Sequence, residues 1–296
     1  MTDSPDTSGF EVAVQVRESE IERTEGALLG VGAVSLTLTD AGNHPLLEPA
    51  PGATPLWPET VVTGFFTPDA ELESVLAGLR ALAVTPSATR AVGAADWVRA
   101  WMDDFQPMAF GERLWIVPTH CEIPSDADIA LRLDPGLAFG TGTHPTTALC
   151  LEFLDGMDLE GRRVLDFGCG SGVLAVAAAL LGAPDVVAID IDPQAEIATR
   201  ENAARNGVAD RVHIEDLATV GPHNFSVIVA NILAGALVEL APVIGRLADP
   251  GARVALSGIL VEQVPIIRSA YAGEFTDFEV HSQGDWALVT AVARDF

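Results

Sequence analysis

The stretch LDFGCGSG, from Leu165, places glycines at 168, 170 and 172 between a run that reads as a strand and an alanine-rich run that reads as a helix. Glycines there let a turn tighten and let a ligand lie against bare backbone. The dinucleotide pattern G-x-G-x-x-G asks for a further glycine where this chain has Val173. G-x-G-x-G preceded by Asp166 suits instead the amino-acid end of S-adenosylmethionine. That end has no pyrophosphate to seat, and its ammonium favours a nearby carboxylate.

Three further positions fall at strand ends, where open α/β sheets bind their ligands. Asp190 closes the strand after the glycine turn and can accept hydrogen bonds from both hydroxyls of a ribose, a role that NAD would equally use. Asp192 reads as the N-cap of a helix beginning at Pro193. Asp216, after RVHIE, is placed either to meet an adenine amino group or to close a solvated turn. Asn231 ends VIVAN and can accept hydrogen bonds from an incoming amine, which makes it the candidate catalytic residue. Many methyltransferases of amides and nucleobases carry proline-proline-aromatic after this asparagine. Ile232 and Leu233 stand here, which leaves room for a flexible aliphatic amine.

The elements that must hold these residues follow from periodicity. From Gly161 onward strands alternate with helical segments: RVLDFG, DVVAIDID, RVHIED, FSVIVAN and RVALSGI. Such alternation predicts a parallel sheet covered on both faces. The chain closes differently, with two strands joined by SQGD in a tight hairpin. A doubly wound sheet ending in an antiparallel hairpin is the pattern of class I methyltransferases. Ahead of it, residues 1–94 read as β-α-β-β-α-β, a ferredoxin-like (split βαβ) α+β domain, with a helix starting at Pro68 behind a Thr67 N-cap. Residues 95–109 read as a linking helix in which Trp97 and Trp101 pack one turn apart, and 110–296 as the doubly wound domain.

Bulk composition narrows the classes. The chain has 296 residues, 49% of them apolar, and a formal charge of −26; all 16 basic residues are arginine, and lysine is absent. That field repels nucleic-acid phosphates and attracts cationic partners. Adaptation to a saline cytoplasm produces the same bias, and charge alone does not separate the two. Cys121, Cys150 and Cys169 lie far apart, without zinc-ligand spacing, and read as buried thiols. No apolar run is long enough to span a bilayer, and the acidic first ten residues lack a secretory pattern. The expectation is a cytoplasmic protein without a membrane partner.

Taken together, LDPGLAFGTGTHPTT, VLDFGCGSGVLA, AIDIDPQA, ENAARNGV, VANILAGAL and LSGIL resemble the ribosomal protein L11 methyltransferase family. DWVRAWMDDFQPMAFGERLWIVPT resembles that family's linker and domain start. The similarity runs from Asp96 to the C-terminus; the N-terminal region agrees in element order and length. The resemblance implies transfer of methyl groups from S-adenosylmethionine to lysine side chains and the terminal amine of one ribosomal protein of the large-subunit stalk base. It also implies that the N-terminal domain recognises that substrate and swings on the linker. Thr147, Gly168, Asp190 and Asn231 match the family's cofactor contacts, and Phe139 its methionine-pocket wall; Asp166 and Gly170 complete the loop. FGTGTHPTT then reads as a cover over the sulfonium. The rival, a phosphate cradle at a helix start, lacks a nearby cation. His144 in this stretch is either a general base or a packing residue at the helix start. Rivals for the whole chain are a small-amine methyltransferase with an N-terminal lid and a non-catalytic cofactor-binding module.

Overall fold

The computed structural model describes residues 7–42, 57–93, 105–134, 144–222 and 224–295. The chain divides into two compact units, Met1–Asp104 and Phe105–Phe296.

The first unit is β1 (Thr7–Arg17), α1 (Ile21–Gly30), β2 (Ser35–Asp40), β3 (Glu59–Phe66), α2 (Leu72–Ala81) and β4 (Ala88–Gly93). The strands form one antiparallel sheet in the order β2-β3-β1-β4. This is the expected β-α-β-β-α-β arrangement. Val12 and Val14 alternate inward on β1 and meet Ile21 and Leu28 of α1 and Val75 and Leu79 of α2 in one apolar cluster. The expected start of α2 at Pro68 is corrected. Ala70 donates its N–H to the Thr67 carbonyl at 3.1 Å, so TPDA closes a turn and the helix begins at Leu72 behind Glu71. Proline and aspartate favour a β-turn as readily as a helix start, and here the turn wins.

The second unit opens with β5 (Met108–Phe110), β6 (Leu114–Val117) and β7 (Ile129–Arg132), which form a three-stranded sheet. Most of the expected linking helix, with Trp97 and Trp101, lies outside the described residues; Met108 and Ala109, its expected end, are strand. Then follow α3 (Pro145–Asp155), β8 (Arg163–Phe167), α4 (Val173–Leu180), β9 (Asp185–Ile189), α5 (Pro193–Arg205), β10 (Val212–Ile214), β11 (Phe225–Asn231), α6 (Ala234–Leu247), β12 (Ala248–Leu260), α7 (Val264–Tyr271), β13 (Phe275–Gln283) and β14 (Trp286–Ala293). The main sheet runs β10-β9-β8-β11-β12-β14-β13, parallel except for β14, which is antiparallel to both neighbours.

Both faces of this sheet are buried, as parallel strands require. Val186 and Ala188 of β9 face the layer containing Leu151, Val176 and Ala203 of α3, α4 and α5. Val187 and Ile189 face the layer containing Leu237, Ile244 and Ile267 of α6 and α7. The closing hairpin turns at Gly284, whose φ of 60° is the left-handed conformation such turns need. Cys150 and Cys169 are buried and Cys121 is half-buried, all as free thiols. Among the described residues, no helix is long and apolar enough to cross a membrane.

Candidate functional site

The glycine turn joins β8, which lies between β9 and β11 in the sheet, to α4, and all three of its glycines have positive φ (78°, 53° and 74°). Two are demanded by packing as well as by conformation. A Cβ on Gly168 would sit 2.3 Å from Cγ2 of Ile232, and one on Gly172 would sit 2.6 Å from the Thr199 hydroxyl. The loop therefore nests between the segment after β11 and helix α5. From α5, Thr199 donates to the Gly170 carbonyl (3.3 Å) and Asn202 to the Ser171 carbonyl (2.8 Å). The sequence pattern does not point to either support: Asn202 falls within ENAARNGV and Thr199 two residues ahead of it, and neither position marks a contact with the loop.

Asp166 lies beneath the turn and is fully buried. One carboxyl oxygen accepts the Ala175 N–H at 2.9 Å, standing in for the side-chain cap that Gly172 cannot provide. Its other oxygen is buried and has no hydrogen-bond partner among the described residues. Burial pushes its carboxyl up to about 7; the Ala175 bond opposes this and the charge of Asp190 adds to it. Cys169, a buried residue of the same loop, is pushed up to about 12 by burial.

Asp190 follows β9 and binds two backbone amides: Gly170 N–H at 2.8 Å and Asp192 N–H at 2.9 Å. A carboxylate has about four lone-pair sites, so acceptor capacity remains for two hydroxyls. Asp192 caps α5 as expected, accepting from Gln194 N–H at 2.9 Å. Asp216 lies beyond β10 and is exposed; it accepts the Ala218 N–H at 2.8 Å and so closes a turn.

Asn231 is the last residue of β11, paired with Ser257 of β12. Its side-chain amide donates to the Thr147 hydroxyl at 3.2 Å, joining positions 84 residues apart. Thr147 is buried in the first turn of α3. Three residues earlier, His144 accepts the Thr146 N–H and sets its ring edge-on to Trp286 at 4.6 Å. Burial lowers its pKa, and it caps the helix. Phe139, Gly140 and Gly142, the expected cover, lie outside the described residues. Asp166, Gly168, Gly170, Asp190, Thr147 and Asn231 thus gather along the carboxyl ends of β8, β9 and β11, and Asp216 follows β10 at the same edge of the sheet, closing its own turn. Among the described residues no group of three or more His, Cys, Asp or Glu side chains could hold a metal.

A seven-stranded sheet of this order, with its one antiparallel strand next to the last and a glycine turn after its first strand in the chain, β8, is that of a class I methyltransferase. Comparison with known proteins makes the assignment particular. A family model described as ribosomal protein L11 methyltransferase matches residues 9–294, and the chain belongs to that family. Its relatives include the ribosomal protein L11 methyltransferase of Ectopseudomonas mendocina, 49% identical over 289 residues and covering 96% of this chain and 99% of the relative. That of Pseudomonas aeruginosa is 51% identical over 289 residues, covering 96% and 98%. The crystal structure of ribosomal protein L11 methylase from Lactobacillus delbrueckii subsp. bulgaricus superposes with a TM-score of 0.58 at 35% identity, covering 64% of this chain and all of that one.

Proposed function

We propose that this protein transfers methyl groups from S-adenosylmethionine to lysine side-chain amines and the N-terminal amine of ribosomal protein L11. The observation that carries this reading is the convergence of the glycine turn, Asp190 and Asn231 on one sheet edge in a chain of this family. The residues fit the cofactor. The loop offers bare backbone, Asp190 has acceptor capacity to spare for a ribose diol, and Asp166, with one buried oxygen left without a hydrogen-bond partner among the described residues, would supply a negative charge for the ammonium of the cofactor. Bound there, S-adenosylmethionine supplies a methyl group already activated by its sulfonium. Thr147, Gly168, Gly170, Asp190 and Asn231 are the contacts we assign, with Phe139 as a wall and Asp216 towards the adenine.

The protein's task is alignment and exclusion of water. The attacking amine must be neutral, whereas a free lysine has a pKa of about 10.4. Partial desolvation in the site lowers that value, and water takes the proton released. The side-chain oxygen of Asn231 accepts an N–H of the amine and leaves its lone pair clear. Ile232 and Leu233 present an aliphatic surface in place of an aromatic clamp, which lets a methylated amine turn and rebind.

The first unit recognises L11, at the base of the stalk, and the net charge of −26 favours a basic protein partner over nucleic acid. The setting is the cytoplasm. With no lysine in the chain, the enzyme cannot modify its own side-chain lysines. Mass spectrometry of L11 incubated with enzyme and S-adenosylmethionine tests the assignment. Additions of one or more methyl masses on lysines and the N-terminus are expected. Unmodified L11 alongside a methylated small amine would replace it.

A further inference from the structure

The hydrogen bond between Asn231 and Thr147 has a chemical direction, and it bears on how the reaction proposed above is carried out. A side-chain amide has an accepting and a donating end, and the two exchange places by a half-turn of the terminal torsion. Only one orientation serves amine methylation. With its oxygen forward, Asn231 accepts an N–H of the amine. With its NH2 forward, it donates to the lone pair that must attack.

In the structure the NH2 end is held back, donating to the Thr147 hydroxyl at 3.2 Å. The oxygen makes no hydrogen bond among the described residues, and the side chain is half-buried at the end of its strand. Both partners are firmly held. Thr147 is 2% exposed. Its own N–H is bonded to the His144 carbonyl at 3.0 Å, and β-branching restricts its side-chain torsion. On the other side, Ile232 donates its N–H to the Ser257 carbonyl at 3.2 Å, fixing the backbone just beyond Asn231. A Cβ on Gly258 would lie 2.4 Å from the Ile232 carbonyl oxygen, so β12 gives way at Gly258 to admit that close approach.

We propose that Thr147 is a positioning residue that sets the orientation of the Asn231 amide, and that this is the work of its hydroxyl. The inference rests on the methyl-transfer reading and gives Thr147 a second task beside its cofactor contact: Asn231 meets the amine, and Thr147 acts on the amine through Asn231.

The test compares wild type with Thr147→Val, which keeps the shape and removes the hydroxyl, and Thr147→Ser, which restores it. Three readouts are taken: cofactor affinity by calorimetry, kcat and KM with L11, and the Asn231 side-chain NH2 signals of the cofactor-free protein by NMR. Those signals are identified by their loss in Asn231→Ala. Thr147→Val is expected to lower kcat about tenfold or more, the order of loss from misplacing one reacting contact. Its KM for L11 should stay within about twofold, and the part of any loss that comes from the contact of Thr147 with the cofactor should show in Kd and be smaller than the loss in kcat. The NH2 signals should shift and exchange faster with water. Thr147→Ser should recover most of kcat and the wild-type signals. An unchanged kcat, unmoved NH2 signals, or a loss that resides wholly in cofactor affinity would each overturn the inference and leave methylation itself standing. A wild type that binds the cofactor yet transfers no methyl to L11 would overturn the functional reading, and this inference with it.

Discussion

Asp190 reaches back from the end of β9 to accept the Gly170 N–H at 2.8 Å, so the residue offered to the ribose also fastens the middle of the glycine turn. Its second oxygen holds Asp192 N–H at 2.9 Å, just ahead of α5. One carboxylate thus organises two loops. Removing it should cost more than a pair of ribose hydrogen bonds, because the turn loses its anchor too. Asp190→Ala is expected to weaken S-adenosylmethionine binding by at least about a hundredfold, in keeping with the loss of two or more charge-assisted bonds. Asp190→Asn keeps one accepting oxygen and should fall between. Isothermal calorimetry with each variant measures both effects.

The buried carboxyl of Asp166 makes a prediction about pH. Burial raises its folded-state pKa to about 7 from an ordinary value of 3.8. The groups facing it are Asp190, Cys150 and Cys169. Because the folded value lies above the unfolded one, the folded state holds the extra proton between them. Its contribution to stability is complete below about pH 4 and is lost as pH rises through about 7. Asp166→Asn should therefore become more stable relative to wild type as pH rises from about 5 to 8, by an amount on the order of a few kcal/mol. A cationic cofactor favours the ionised carboxylate, so wild-type affinity should tighten across the same range, and Asp166→Asn should lose most of that dependence. Denaturant melts and calorimetry at several pH values follow both trends.

Gly172 and Gly161 separate two reasons for a glycine. Both adopt the left-handed region, with φ of 74° and 71°. A Cβ on Gly161 would meet nothing within 4 Å, whereas one on Gly172 would lie 2.6 Å from the Thr199 hydroxyl and 2.9 Å from its Cα. Gly161→Ala should cost about 1 kcal/mol, the conformational penalty alone. Gly172→Ala should cost about 2–4 kcal/mol, since α5 must also shift. Equal losses in urea unfolding would show that the loop can move away from α5.

The features legible in the sequence were those carried by local pattern. Alternation along FEVAVQV and TVVTGFF placed β1 and β3, and the Asp192–Pro193 pair placed the start of α5. The change from strand–helix alternation to a hairpin placed β14 antiparallel. Where one short string serves two local structures, reading along the chain could not decide. TPDA fits a helix start and a turn, and the turn prevails because α2 packs from Leu72 onward. Hidden altogether were pairings between distant residues. Nothing around Thr147 announces Asn231, nothing around Gly168 announces Ile232, and the burial of Asp166 follows only once β9 and β11 flank β8. The types of the candidate site residues were readable; the contacts that give each of them a task were not.

Asp155 shows the same limit at a position with no bearing on chemistry, and it supports a last prediction. It is the final residue of α3, 5% exposed, and a carboxylate there opposes the helix dipole. Burial adds a desolvation cost. Both are offset by the turn between β5 and β6. Glu112 N–H donates to Oδ2 at 2.6 Å and Arg113 N–H at 3.3 Å. The Arg113 guanidinium lies 3.4 Å from Oδ1 and also donates to the Asp155 carbonyl. Gly111 completes the fit, since a Cβ there would lie 2.3 Å from Oδ2. Asp155→Ala leaves two backbone amides without their acceptor and takes the carboxylate from beside Arg113, which keeps its bond to the main-chain carbonyl, and should destabilise the protein by about 3 kcal/mol. Asp155→Asn keeps an acceptor but loses the charge and should cost roughly half as much. The carboxylate is shielded from solvent, so about 1 M NaCl should change the Asp155→Ala difference little, whereas a surface ion pair would be screened away. Urea unfolding of both variants, with and without salt, gives the four numbers required. A loss below about 1 kcal/mol would mean that water replaces the carboxylate and that this turn does not depend on α3.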